Sequence, residues 1–375
     1  MIEARDLLTK STRSAKIGVL PFFAWVGKRV MDILSDTLRV VRMTGSIFFN
    51  AELFSRWAFI SPSPEELRTH LRSHSECLTL FHILHRGHCW ITLDGVASFL
   101  MQEGDAVVFP RGNSHTMSSF QKPNAVERHP LPVEVLHGPS HGEIPSITFG
   151  GGGEATELVC GYLQCDQKFN PMVGSLPTAL WLRHADHADA PLTIQDDRFS
   201  PWCILPVKKG QWLETTLQYT TNEARTRTLG NAAMLGRLSE VMYVEVLRLY
   251  AQQLPAEDHN WLAAVRDRSV GSVLELMHSH PERAWTVEDL ASAAAISRSG
   301  LAQRFTSLIG ETPMQYLTSW RMQLAQHLLR ESNMTIGEIA ARTGYASEVA
   351  FNHAFKREVG RPPVAWRRQR GGENG

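Results

Sequence analysis

The chain has 375 residues, 43% of them hydrophobic and 20% charged, an ordinary globular composition long enough for about two domains. No apolar run approaches the roughly 18–20 residues of a membrane-spanning helix. The odd count of five cysteines offers no disulfide framework, so a reducing, cytoplasmic setting is expected. Net charge is zero, yet residues 281–370 hold about twelve Lys/Arg against about eight Asp/Glu, a basic tail on an acidic body that suits nucleic-acid binding.

Residues 1–31 are expected to form a poorly defined extension, with Met31 an alternative start. Ile17–Val26 looks like a short signal core, but it contains a proline and no small-residue cleavage site follows. An amphipathic stretch comes next (Ile33, Leu34, Leu38, Val40, Val41). From Ser46 to about Phe120, short apolar runs broken by Gly, Pro and Asn predict strands, among them 78–84, 89–93 and 106–109. Residues 121–155, rich in Pro, Gly and His, predict a long surface loop, and 157–164 a returning strand. Helical periodicity begins near Trp212. It is strongest in 232–254, where Leu235, Leu238, Val241, Met242 and Leu249 form one stripe, for the core or in part for a dimer seam.

The last ninety residues contain an internal repeat. Phe305-x4-Gly310-x2-Pro313 recurs as Phe355-x4-Gly360-x2-Pro363, and Thr286…Asp289-Leu290-Ala291 recurs as Thr335…Glu338-Ile339-Ala340. One extra residue near Gly344-Tyr345 separates the two offsets. Thr286 and Thr335 can cap a short helix, with Asp289 and Glu338 reaching back. Ser297 and Ser347 can cap a second helix, held to the core by Leu301/Phe305 and Phe351/Phe355. Gly310 and Gly360 can end that helix, with Pro313 and Pro363 blocking continuation. Between the copies, 314–330 predicts an uninterrupted amphipathic helix. Each copy is a helix-turn-helix; the alternative is a plain bundle of two look-alike helix pairs.

On these motifs, residues 265–368 resemble the DNA-binding domain of the AraC/XylS family, with Ile336-Gly337-Glu338-Ile339-Ala340, Gly344-Tyr345, Phe351, Phe355-Lys356, Gly360, Pro363 and Arg367 carrying the match. The resemblance implies two recognition helices entering successive major grooves about 34 Å apart. By position the base-reading residues would be Arg298, Ser299, Ala302 and Gln303 on the first helix, and Glu348, Val349, Asn352 and His353 on the second. Helix geometry places both sets opposite the Phe/Leu anchors. Arg321, Lys356, Arg357, Arg367 and Arg368 are phosphate-contact candidates.

In the first half, Gly104-x5-Pro110-x-Gly112-x2-His115 resembles the second motif of cupins, small antiparallel β-barrels. In enzymatic cupins that histidine joins a His-x-His pair and a Glu around a metal. Here the earlier strand reads Phe81-His82-Ile83-Leu84-His85, which puts His82 and His85 on opposite faces and leaves the set incomplete. His82, His115 and His85 are the candidate metal or effector residues, with zinc the candidate ion and a cysteine, His137 or His141 completing the site; the bland reading is a hydrogen-bonded core histidine. Cys160 and Cys165 are the candidate redox thiols, facing Cys77, Cys89 or Cys203, against a reading as inert buried cysteines. Val159-Cys160-Gly161 followed by Asn170-Pro171…Leu176-Pro177 resembles the AraC subgroup with an N-terminal cupin, extending the likeness to about residues 32–368.

The expected fold is therefore α+β and multidomain: an extension (1–31), a cupin-like antiparallel β-barrel sensor (32–180), a helical linker and dimerisation region (181–260) and an all-α double helix-turn-helix domain (261–370). The expected function is a DNA-binding regulator, an activator by family habit. It would be a homodimer acting with RNA polymerase on a duplex operator, controlled by a ligand, metal or thiol signal. Competing readings are a metal-dependent cupin enzyme fused to a DNA-binding tail and an architectural DNA binder with a structural barrel.

Overall fold

The computed structural model describes residues 33–41, 43–54, 56–70, 77–93, 97–121, 123–131, 144–165, 171–187, 202–226, 228–255 and 259–371. The 1–31 extension, Ile17–Val26, His137 and His141 lie outside them. The chain opens with helix α1 (Ile33–Val40), strands β1 (Met43–Phe54) and β2 (Ala58–Ile60) and helix α2 (Pro64–His70). Strands β3 (Cys77–Arg86), β4 (His88–Leu93), β5 (Ala97–Gln102), β6 (Ala106–Phe109), β7 (Thr116–Ser118), β8 (His129–Pro130), β9 (Ser146–Phe149) and β10 (Ala155–Cys165) follow. After α3 (Pro171–Gly174) come β11 (Ala179–His184) and β12 (Trp202–Val207), and from there every element is a helix.

Among the described residues the strands form two sheets, not a closed barrel. One is seven-stranded, ordered β12-β11-β6-β3-β10-β1-β9; the other is five-stranded, β5-β4-β7-β2-β8. Most pairs are antiparallel, but β1/β9, β2/β8 and β11/β12 run parallel. The loop expected over 121–155 thus contributes two short edge strands. Strand alternation decides which core each residue joins. In β3, Leu78, Leu80 and Leu84 pack between the sheets with Cys89, Ile91 and Phe99. Phe81 and Ile83 point the other way, toward helices.

Those helices are α4 (Trp212–Arg225) and α5 (Asn231–Gln253), laid on the outer face of the larger sheet. Gly45 in β1 and Gly236 in α5 allow the closest approach: a Cβ on either would meet the other's carbonyl oxygen at 2.6 and 2.7 Å. The α5 stripe read from sequence divides, with Leu235 and Met242 buried and Val241 49% exposed. Val241 joins Met234, Trp212 and Tyr219 on the open side of this layer.

The remaining helices are α6 (Trp261–Arg266), α7 (Arg268–Ser279), α8 (Val287–Ala293), α9 (Arg298–Ile309), α10 (Pro313–Glu331), α11 (Ile336–Arg342), α12 (Glu348–Val359) and α13 (Pro363–Gly371). The first helix-turn-helix (α8–α9) belongs to the apolar core that continues through α7, α6 and α5 to the large sheet. The second (α11–α12) has its own core, built from Met322, Leu329, Ile339, Phe351, Phe355 and Trp366. Helix α10 contributes to both.

Candidate nucleic-acid interface and sensor interior

Each helix-turn-helix is assembled by local chemistry. Complete capping boxes start α8 (Thr286 with Asp289), α10 (Thr312 with Gln315) and α11 (Thr335 with Glu338). Asp289 and Glu338 are held below the usual carboxylate range, by the Thr286 hydroxyl and by the Thr335 backbone amide respectively. Ser297 and Ser347 accept from the amides of Gly300 and Ala350 to start the recognition helices α9 and α12. Gly310 and Gly360 end them in the left-handed region. Pro313 and Pro363 then sit at the first position of the next helix, where a missing amide costs nothing.

The inter-helix turn requires a positive φ in both copies. Gly344 supplies it in the second at φ 77°, and Ala295 adopts it in the first at φ 55°. The following residues, Ile296 and Tyr345, donate to equivalent carbonyls, Ala291 and Ala340, so the turns correspond and the extra residue lies just beyond. Alanine is strained there; Ala295→Gly is expected to raise stability by about 0.5–1 kcal/mol in denaturant titration.

Leu301, Phe305, Phe351 and Phe355 are fully buried. On the opposite sides, Arg298, Ser299, Gln303, Glu348, Val349 and His353 are exposed, and Ala302 and Asn352 half-exposed. Arg298 makes a surface ion pair with Glu288 at 2.9 Å. Two expected phosphate contacts are engaged within the protein instead. Arg321, half-buried on α10, donates through Nε to Pro281 O (2.7 Å) and through Nη2 to Arg283 O (2.8 Å). It also fills the space beside Gly344, where a Cβ would fall 2.5 Å from its Nη2. It therefore braces the approach to the first unit against the turn of the second. Arg367 donates to Leu329 O (3.3 Å) and Met334 O (2.7 Å), closing the end of α10. Lys356, Arg357 and Arg368 are exposed, with Arg357 paired to Glu358 at 2.8 Å.

Inside the β-sandwich, His82 and His115 meet with Nε2 atoms 2.8 Å apart. His82 Nδ1 lies 3.0 Å from Cys160 Sγ, and His115 Nδ1 lies 2.8 Å from Asn113 O and 3.2 Å from Ser61 Oγ. A carbonyl only accepts, so His115 carries its proton on Nδ1 and receives at Nε2. His82 then donates from Nε2 and accepts the Cys160 thiol proton at Nδ1. The chain is satisfied end to end with both rings neutral. Burial pushes His82 well below its ordinary value and His115 down to about 4.

This donor set does not fit a metal. Two nitrogens on one tetrahedral zinc are about 3.4 Å apart, with both lone pairs free. Here the nitrogens are 2.8 Å apart, closer than two ligands of one zinc. His85, the third candidate, lies on the other sheet face, lining cavities against α4. Among the described residues no three His, Cys, Asp or Glu side chains converge to hold an ion.

Burial also raises Cys160 well above the ordinary thiol range, and Cys77 and Cys89 to about 12. Cys165 is buried and pairs in register with Cys77 across β10 and β3. Since the thiolate is the reactive species, Cys89 and Cys160 are expected to resist iodoacetamide at pH 7.5 in the native protein and react at once in urea. Mass spectrometry of peptides reads this directly, and native labelling of Cys160 would contradict the geometry.

Sequence reading missed two cavities, both between the large sheet and the helices. One, about 850 Å3, lies under the α4–α5 turn; the other, about 500 Å3, lies beside α4 and is lined by His184, His187 and Glu214. His184 Nε2 is 3.1 Å from Glu214 Oε1, tying β11 to α4, and this contact holds the Glu214 carboxyl below its ordinary value. The partners lie thirty residues apart, with no local pattern to announce them.

Paired helix-turn-helix units with open polar ridges, carried on a cupin sandwich, define a DNA-binding regulator. The chain matches the Cupin family over residues 32–194 and 197–252 and the Helix-turn-helix domain family over 290–369. It is 30% identical over 344 residues to an AraC-like transcription regulator of Streptomyces lividans, covering 90% of this chain and 98% of the relative. It is 26% identical to the HTH-type transcriptional regulator AlkR of Acinetobacter baylyi, over 90% and 100% of the two chains. It is 25% identical to the RCS-specific HTH-type transcriptional activator RclR of Escherichia coli, over 90% and 97%. Among solved structures, the DNA-binding domain of AdpA in complex with a target DNA is 36% identical over 28% of this chain and 92% of that one, with a TM-score of 0.26. The chain belongs to the AraC-like transcription regulators that carry an N-terminal cupin. None of the helices in the described residues is long and apolar enough to cross a membrane.

Proposed function

We propose that this regulator is a cytoplasmic activator that reads an operator through α9 and α12 and responds to a small-molecule effector bound in its cupin half. The observation that carries the reading is the pair of exposed polar ridges set opposite fully buried anchors. Arg298, Ser299, Ala302 and Gln303 face one major groove, and Glu348, Val349, Asn352 and His353 the next. Gln303 and Asn352 have the donor–acceptor geometry for adenine, Arg298 that for guanine. Lys356, Arg357 and Arg368 hold phosphates. The expected helical linker over 181–260 begins later than its bounds, because β11 and β12 still belong to the large sheet; 32–207 is the sensing part, 208–260 the coupling part and 261–370 the reading part. The open apolar surface of α4 and α5 supports a homodimer, and the relative named an activator supports recruitment of RNA polymerase. A small-molecule effector is favoured over a metal or thiol signal because the histidine pair holds a proton and the buried thiols stay protonated.

Selection of bound sequences from a random DNA pool at stated salt tests the reading. Gln303→Ala is expected to cost about 1–3 kcal/mol at one operator base and little elsewhere. Equal weakening on all sequences would make it a backbone contact.

A further inference from the structure

The two reading units have separate apolar cores, so what fixes one against the other must be polar or must run through α10. Arg321, near the middle of α10, meets both units at once. Toward the first, its Nε and Nη2 donate to Pro281 O and Arg283 O, two carbonyls of the turn that leads into α8. That turn is stiff in its own right. Arg283 N donates to His280 O (3.2 Å), Trp285 N to Arg283 O (2.8 Å) and the Trp285 indole to His280 O (3.0 Å). The Trp285 ring is buried in the core beneath α9, with the Arg283 guanidinium over it at 3.9 Å. Thr286, the next residue, opens the capping box of α8.

Toward the second unit, the same guanidinium lies against the α11–α12 turn. A Cβ on Gly344 would fall 2.7 Å from Arg321 Cζ and 2.8 Å from Pro281 O, so both the side chain and the first unit's turn press on this glycine. The Tyr345 ring follows, its centroid 6.0 Å from Cζ. Tyr345 stands edge-on to Phe351, a buried anchor of α12, at 5.6 Å. One side chain thus joins a continuous set of contacts from the start of α8 to α12. The fork explains the residue type: donors on one edge of a rigid plane reach two carbonyls, while lysine presents a single point charge.

We infer that Arg321 is a positioning residue that sets the distance and phase between α9 and α12, and so makes the protein selective for the spacing of two operator boxes. The inference rests on the two-groove reading above and adds to it a residue engaged inside the protein. Two readers joined rigidly have a high effective concentration for each other's box at one spacing and a low one at every other. A loosened joint spreads that advantage over several spacings. Each inserted base pair moves the second box about 3.4 Å along the duplex and about 34° around it, so spacing is a sensitive gauge of the joint.

The test uses the full-length protein and a duplex that the wild type selects from a random pool, with none, one or two base pairs inserted between its boxes, or with either box scrambled. Binding is followed by fluorescence anisotropy at several salt concentrations. Wild type is expected to lose about tenfold or more in affinity at two inserted pairs. Arg321→Met keeps the stem and removes the donors. It should lose about tenfold at the selected spacing but less than about threefold on either one-box duplex, and insertion should cost it less than about threefold. Arg321→Lys keeps the charge and should show the same flattened spacing response; it carries the test if the methionine variant does not fold. Equal loss on one-box and two-box duplexes, or a spacing response as steep as wild type in the lysine variant, would overturn the assignment. So would a salt slope lowered by about one in Arg321→Met, the mark of a lost phosphate contact. A wild type indifferent to spacing would remove the two-groove reading itself, whereas a selective wild type matched by both variants would remove only this inference.

Discussion

Phe355→Ala is expected to unfold the second reading unit and leave the rest of the molecule folded. Phe355 is fully buried and packs in a core separate from the one beneath α9, with its ring edge-on to Trp366 at 6.4 Å. Removing a buried phenylalanine costs about 3–5 kcal/mol, more than so small a core can absorb. Phe305, its repeat counterpart, belongs instead to the core that runs through α7 and α5 to the sheet. Hydrogen exchange should show peptides from 336–366 losing protection in Phe355→Ala while peptides from 268–309 keep theirs. Phe305→Ala should weaken protection across the first unit and α5 together. Simultaneous loss of both units in Phe355→Ala would show that their cores are energetically one.

Acid is expected to destabilise the cupin half before it affects the helix-turn-helix half. A histidine whose folded value is depressed gives stability that is present above its unfolded value near 6.5 and lost as pH falls toward the folded one. For His115, at about 4, the loss between pH 7.5 and 5 is about 2 kcal/mol, and His82 adds a contribution of the same sign. His278, buried against Trp320 and bonded to the Tyr316 hydroxyl at 2.9 Å, is pushed down to about 3 and acts in the same direction within the first reading unit. There Glu311, raised to about 7 by partial burial, gains stability over the same interval and opposes it. No such opposing carboxylate touches the His82–His115 pair. Melting followed at pH 7.5, 6.5, 5.5 and 5 should therefore fall for the sandwich, with a shallower slope in His115→Gln. A sensor stability flat across this range would mean that the pair is hydrated.

What was legible in the sequence was what is local. Caps and stops of the repeated units lie within four residues of their partners, and the anchors recur at i, i+4, so spacing alone exposed them. Strand alternation likewise placed His82 and His85 on opposite faces before any contact was known. The rest depended on long-range partners. The carbonyls that hold Arg321 are some forty residues away, so no local pattern shows its bracing role. Arg367 is held in the same way, by carbonyls more than thirty residues away. The barrel expectation gave way to two sheets because the parallel edge pairs carry no short-range signal. Ala295 was invisible because alanine does not announce a left-handed turn.

The nineteen-residue α10 has a mechanical consequence. At 1.5 Å per residue it is a rod of about 28 Å, pinned near its middle by Arg321 and at its C-terminal end by Arg367. Such a shaft can tilt but cannot telescope. If α9 and α12 read neighbouring grooves as proposed, moving one operator box by five base pairs, half a turn of duplex, rotates it away from its reader and leaves a single foothold.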